Sequence, residues 1–151
     1  MRNLWRVIFI VAGCVSCSEQ TTPPPSRGTP AEASAMLEQA VAHYDQVGRT
    51  QALADFTARK APFVDRDLYV FCMDAGHKIT AHPDAAMRGQ DVGTLKDVDG
   101  KMIGKEMIAL TQKGGGSLEY KWTNPVSGKV EPKVSFLKKA GDQYCGVGAY
   151  K

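Results

Sequence analysis

The chain has 151 residues, of which 43% are apolar and 23% charged, with a formal net charge of +3. That length holds one domain rather than two, and the composition is that of a globular protein rather than a disordered or fibrous one. Lys and Arg are scattered with no basic block, which argues against a nucleic-acid partner and for a solvated surface of mixed charge.

Residues 1–17 read as an export signal of the lipoprotein type. MRNLWR is a short basic segment and VIFIVAG an apolar run, far shorter than the ~20 residues a membrane span needs. VAGC, Val11 to Cys14, resembles the lipobox of bacterial lipoproteins, in which the Cys is lipidated. Cys17 after Val15-Ser16 is the other candidate, though Cys14 would then stand where the lipobox usually has an aliphatic residue. A redox or metal pair at Cys14-x-x-Cys17 is discounted, because no His follows Cys17 and no βαβ pattern lies nearby. Residues 18–30 are polar with three consecutive prolines and read as an extended tether that lifts a folded domain off the membrane.

The domain, residues 31–151, opens on the clearest helix. Thr29 is the expected N-cap, Pro30 suits the first turn and Glu32 completes a capping box. Met36, Leu37, Ala40, Val41, Tyr44 and Val47 recur at helical spacing, and Gly48 ends the run. A shorter helix is expected from Gln51 to Arg59, with Leu53 and Phe56 inward and Pro62 beyond its end. DLYVFCMD and KITAH then read as a strand pair, joined at Asp74 to His77 by a turn with Gly76 at the positive-φ position and terminated by Pro83. A long turn-rich crossover follows, and KMIGKEMIALTQK reads as a helix with Asp99 near its start and Gly114 to Gly116 closing it. SLEYKW alternates strictly, with Leu118, Tyr120 and Trp122 on one face. TNPVSGK is a hairpin loop, and VEPKVSFLKKA and DQYCGVGAY are the last strands. The sum is an α+β layout: one five-stranded, mostly antiparallel sheet with helices beside it and room for a ligand between sheet and crossover. Cys72 and Cys145 fall in the folded part. The exported compartment is oxidising, so they either pair or stand equally well as two small buried hydrophobes.

An ordered set of residues in this layout resembles the single Cache domain, the extracytoplasmic ligand-sensing module of bacterial chemoreceptors and sensor kinases. The set is Asp74, Gly76, Ala81-His82-Pro83, Gly89, Leu95-Lys96-Asp97-Val98-Asp99-Gly100-Lys101, then Gly114 to Gly116, Glu119-Tyr120-Lys121-Trp122, Pro132-Lys133 and Gly146-Val147-Gly148-Ala149-Tyr150. The resemblance runs from about Ala31 to Lys151. It implies a PAS-like fold, with the long N-terminal helix packed on a sheet whose first and last strands are central neighbours. That would set the Cys72 strand beside the Cys145 strand, where a disulfide requires Cα atoms within ~7 Å and a matching register. Family receptors add two transmembrane helices and a cytoplasmic output domain. This chain shows no second apolar span and no residues after Lys151, which implies a free-standing domain on a lipid anchor.

His82 is the first candidate site residue. Metal binding would need three or four convergent ligands, and the other His residues, His43 and His77, make no HxH or HxxxH pair with it. No nucleophile elbow or other catalytic motif announces an enzyme, and no cofactor is implied. His82 either closes the hairpin through a backbone hydrogen bond or faces the crossover pocket and donates to an anion. Lys133 is either a solvent-facing strand residue or a point charge for a carboxylate. The resemblance favours the latter, because family members tend to use a basic residue on this sheet for small organic acids. Ser135 shares its face, Tyr120 and Trp122 serve as core or as an aromatic wall, and Arg88 is a second cation before Gly89. Gly146 and Gly148 are read as points of close backbone approach.

Two readings of function follow. One is an extracytoplasmic binding or sensing domain for a short organic acid of the acetate, propionate, pyruvate or lactate class, without an output domain in the same chain. The other is a lipid-anchored accessory protein of an envelope complex whose pocket is vestigial. Expected partners are the acid, an envelope protein or receptor, and a second copy through the long helix. The membrane is met only through the anchor, with the domain in the periplasm.

Overall fold

The structure, a computed structural model, describes residues 27–151. The export signal, both candidate lipidation cysteines and the tether as far as residue 26 lie outside the described residues. Helix α1 spans Pro30–Thr57 and begins as a capping box: Thr29 Oγ1 accepts the Glu32 N–H at 3.2 Å, and the Glu32 carboxylate accepts the Thr29 N–H at 2.7 Å. Gly48 takes φ 78°, ψ 171°, so two helical stretches meet there at a kink rather than at a loop. His43 and Asp55 bridge the kink at 2.7 Å.

Six strands follow, one more than expected: β1 (Val64–Asp65), β2 (Leu68–Asp74), β3 (Ile79–Ala81), β4 (Gly115–Thr123), β5 (Val130–Ala140) and β6 (Gln143–Tyr150). All pairs are antiparallel in the order β1-β2-β6-β5-β4, and β3 pairs with β2. The extra strand, β1, is only two residues long, too short to carry a periodicity. Helix α2 spans Ile103–Gln112.

Three local expectations need correction. In the β2–β3 turn the left-handed residue is His77, at φ 62°, not Gly76. The loop is three residues long, and its last position takes that conformation while Lys78 N–H bonds the Asp74 carboxylate at 2.9 Å. The helix begins at Ile103, later than the KMIG segment suggested, so Asp99 stands ahead of its N-cap Met102, and no side chain caps it. Asp97 instead organises the approach, accepting the N–H groups of Asp99 and Lys101, both at 3.0 Å. Gly115 and Gly116 belong to β4, and only Lys113 and Gly114 separate the strand from the end of α2.

The sheet divides the core. Alternate residues of β2 face opposite ways: Leu68, Val70 and Cys72 pack under α1, and Tyr69, Phe71 and Met73 pack under α2 and the crossover. Cys72 and Cys145 are register partners on the two central strands, with Cα atoms 4.0 Å apart, and are joined by a disulfide in the α1-side core. Gly146 faces Phe71 so closely that a Cβ there would lie 2.6 Å from its ring.

Candidate functional site

The second face carries the cavity. Two Asp residues shape its roof. Asp84 and Asp91 cap two short 3-10 turns, Ala85–Met87 and Val92–Thr94, each accepting the N–H two residues on. Helix α2 lies against the second turn. Gly104 makes this approach possible, since a Cβ there would sit 1.6 Å from the Val92 carbonyl oxygen. Between roof and sheet lies an inner cavity of about 30 Å³, above the ~10–15 Å³ that one water occupies but far below the size of a drug-like pocket.

The cavity is polar at one end only. Phe71, Met73, Ile79, Leu95, Ile103 and Met107 form the apolar end, and Tyr69, His82, Tyr120 and Trp122 the other. Tyr69, His82, Trp122 and Met87 also line an outer groove of about 580 Å³, so they form the wall between the inner space and the surface.

His82 is 8% exposed. Its Nδ1 accepts the Asp84 N–H at 3.0 Å, so in the neutral ring Nε2 holds the proton and can donate. Burial, and next the charge of Lys133, lower its pKa to about 4. The Tyr69 ring stands edge-on to it at 5.1 Å. The backbone-closing role and the pocket-facing role therefore belong to different nitrogens of one ring.

Lys133 is 1% exposed. Its Nζ donates to the Tyr69 hydroxyl at 2.8 Å and to the Tyr150 hydroxyl at 3.3 Å, and lies 4.0 and 4.6 Å from the two ring centroids. Among the described residues no carboxylate comes within ion-pair distance of it. The buried carboxylates of Asp67 and Glu131 are engaged elsewhere, with Gly28, Asn124, Ser127 and Arg27. Burial pushes the Lys133 amine down to about 7, which Asp67 only partly offsets. Lys133 meets the cavity through Tyr69 and does not itself line it.

Ser135, fully buried, hydrogen-bonds the Tyr120 hydroxyl at 2.8 Å. Tyr120 packs edge-on to Trp122 at 6.0 Å. Arg88 is exposed after the first 3-10 turn and lines neither space, so it does not join the other five. Sequence reasoning missed Tyr69, which faces both spaces, and Tyr150, which completes the cage around Lys133. The alternation Tyr69, Phe71, Met73 was the available signal for the first. Among the described residues no three His, Cys, Asp or Glu side chains converge on a metal-sized site.

With this geometry in view, residues 29–150 match the family "single Cache domain 2". The chain belongs to the single Cache domain 2 family. Cache domains of this kind are sensory modules of receptors and kinases. This Cache domain is 32% identical over 94 residues to the sensor histidine kinase MctS of Rhizobium johnstonii, covering 62% of this chain and 20% of that protein. It is 31% identical over 90 residues to the methyl-accepting chemotaxis protein McpP of Pseudomonas putida, covering 57% and 16%. The match thus spans a fifth or less of either relative. Among solved structures, a methyl-accepting chemotaxis protein from Vibrio parahaemolyticus superimposes with a TM-score of 0.67 at 23% identity, over 80% of this chain and 86% of that one. A Cache chemosensory domain solved for its carboxylic acid recognition superimposes with a TM-score of 0.58 at 25% identity, over 80% and 86%. No helix among the described residues of the Cache domain is long and apolar enough to cross a membrane.

Proposed function

We propose that this Cache domain binds a short organic acid of the acetate, propionate, pyruvate or lactate class in the extracytoplasmic space, held to the envelope by a lipid on Cys14 or Cys17. The observation that carries the reading is Lys133: a buried amine with no carboxylate partner among the described residues, next to a small cavity. An unpaired buried cation is costly, and an anion brought by the ligand relieves that cost. His82 Nε2–H is a second donor at the same end, and the opposite end is apolar, as an acid with a short carbon tail requires. The small volume limits the tail to a few carbons, with Met73 and Met107 supplying adaptable packing. The solved Cache domain with carboxylic acid recognition supports the same class.

The test is a thermal-shift screen of the purified protein against short mono- and dicarboxylates and amino acids. Ligand at ~100 times its dissociation constant adds about 2.7 kcal/mol. A shift confined to short monocarboxylates and lost in Lys133→Met supports the reading. A flat screen on folded protein supports the accessory-protein alternative, which the small inner volume favours and which predicts a partner recovered by crosslinking.

A further inference from the structure

We propose that Lys133 is also a covalent capture point, whose Nζ condenses with the carbonyl carbon of a small 2-oxo acid or aldehyde to form an imine between the Tyr69 and Tyr150 phenols. The inference rests on the organic-acid reading of the cavity and narrows it to carbonyl-bearing members.

Three observations converge on the amine. Its hydrogen-bond partners are two phenol oxygens and no carboxylate among the described residues, so nothing anionic pins it in the ammonium form. It is all but excluded from solvent, which favours the neutral amine with a free lone pair. The cavity it adjoins is apolar over most of its wall, and Tyr69 is the side chain shared between Nζ and that space. Capture requires the Tyr69 ring, which also borders the outer groove, to swing aside and admit Nζ to the cavity.

The chemistry closes without an oxidant or reductant. The Nζ lone pair attacks the carbonyl carbon, a C–N bond forms, and the oxygen takes a proton to give a carbinolamine. The C–O bond then breaks, the hydroxyl leaves as water with a second proton, and nitrogen gives up its two protons overall. The net change is amine plus carbonyl to imine plus water. Tyr69 keeps its phenolic proton through the neutral range, because burial raises its pKa, and so can protonate the departing hydroxyl, whereas the Tyr150 hydroxyl donates its own proton to the Thr123 carbonyl at 2.8 Å and serves as an acceptor toward Nζ. A 2-oxo acid would leave its carboxylate for the His82 Nε2–H.

The experiment is reductive trapping. The purified protein is treated with pyruvate or glyoxylate and sodium borohydride, then measured by intact mass and peptide mapping. A single reduced adduct is expected on the peptide holding Lys133. Propionate, which has no carbonyl, should give none and in excess should suppress trapping by pyruvate several-fold. The denatured protein should lose the preference for Lys133. No adduct above the denatured control, or adducts spread over exposed lysines such as Lys105, Lys113 and Lys139 and indifferent to propionate, overturns the proposal. If trapping fails while propionate still raises the melting temperature, covalent capture falls and the acid site stands. If neither acid shifts the melt or is trapped, the organic-acid reading falls with it.

Discussion

Replacing Lys133 with Met should stabilise the unliganded domain near neutral pH while abolishing acid binding. The amine is held at about 7 against an ordinary 10.5, a penalty on the buried ammonium of at most about 5 kcal/mol. The sign follows from proton counting. Between about pH 7 and 10.5 the unfolded chain holds a proton at this residue that the folded chain has lost, so its contribution to stability rises with pH across that window. Below pH 7 the full penalty stands. Methionine has a similar shape and no charge. It forfeits two hydrogen bonds to phenols, about 1 kcal/mol each, although Tyr150 keeps its bond to the Thr123 carbonyl at 2.8 Å. The net gain should be about 2–3 kcal/mol at neutral pH and fade to about zero near pH 9. Urea unfolding of both proteins at several pH values reads this difference, and groups that titrate alike in both cancel. Acid affinity should fall on the order of 100-fold or more, as when one partner of a buried charge pair is removed. A variant less stable than the wild type by the same amount at every pH would refute the idea that Lys133 carries an uncompensated charge.

Three further outcomes are expected. His82→Asn keeps an acceptor for the Asp84 N–H but cannot ionise. Because the folded ring titrates at about 4 and the unfolded one near 6.5, this residue's contribution to wild-type stability falls as pH drops through that window, by at most about 3 kcal/mol; the variant should lack that part of the acid slope in urea unfolding, and a difference between the two proteins that does not change with pH would count against the assignment. Gly148→Ala would place a Cβ 2.1 Å from Lys133 Cε and 2.3 Å from Ser135 Oγ, so calorimetric titration should show acid binding lost well before the fold is; unchanged binding would mean that Lys133 is not fixed where it must be. Paired Cys72→Ala and Cys145→Ala changes remove a cross-link spanning 73 residues, worth about 4 kcal/mol by loop entropy, and should lower the melting temperature on the order of 15 °C relative to the oxidised wild type; scanning calorimetry with and without reductant decides it.

Much of this fold is written in local chemistry that a sequence displays. Thr29 and Glu32 specify the helix start through one another's backbone N–H groups, and Gly48 marks the break because only Gly takes that conformation freely. The alternation of Leu118 with Tyr120 in β4, and of Lys133 with Ser135 in β5, puts each pair on one face of its strand, and the structure buries all four. What escaped is the part of the site that depends on neighbours far apart in sequence. Nothing local to Tyr69 or Tyr150 says that both hydroxyls will meet the same amine, since the contact needs β2, β5 and β6 side by side. The crossover looked like undirected turn because its order comes from Asp84, Asp91 and Asp97, each bonding backbone N–H groups two to four residues on, a pattern without hydrophobic period. Arg88 drew notice only as a cation beside a glycine, and charge alone does not say which way a loop residue faces.

The glycines of β6 tie the sequence pattern to the site's energetics. Gly148 is register partner to Ser135, and its missing Cβ is the space into which the Lys133 chain folds. A larger residue there would push the amine toward Tyr69 and the cavity, or out of the sheet. Glycine in a central strand weakens it by entropy and lost packing. The disulfide that joins β6 to β2 three residues earlier, at Cys145, holds the two central strands together beside that weak point. Strand stability is exchanged here for the seating of one buried cation, with a covalent link close by to offset the loss. On this argument Gly148 and Lys133 act as a unit. Restoring side-chain volume at Gly148 should be tolerated better once Lys133 is shortened, and a double-mutant cycle between Gly148→Ala and Lys133→Met should show coupling of about 1 kcal/mol or more, where independent sites would show none.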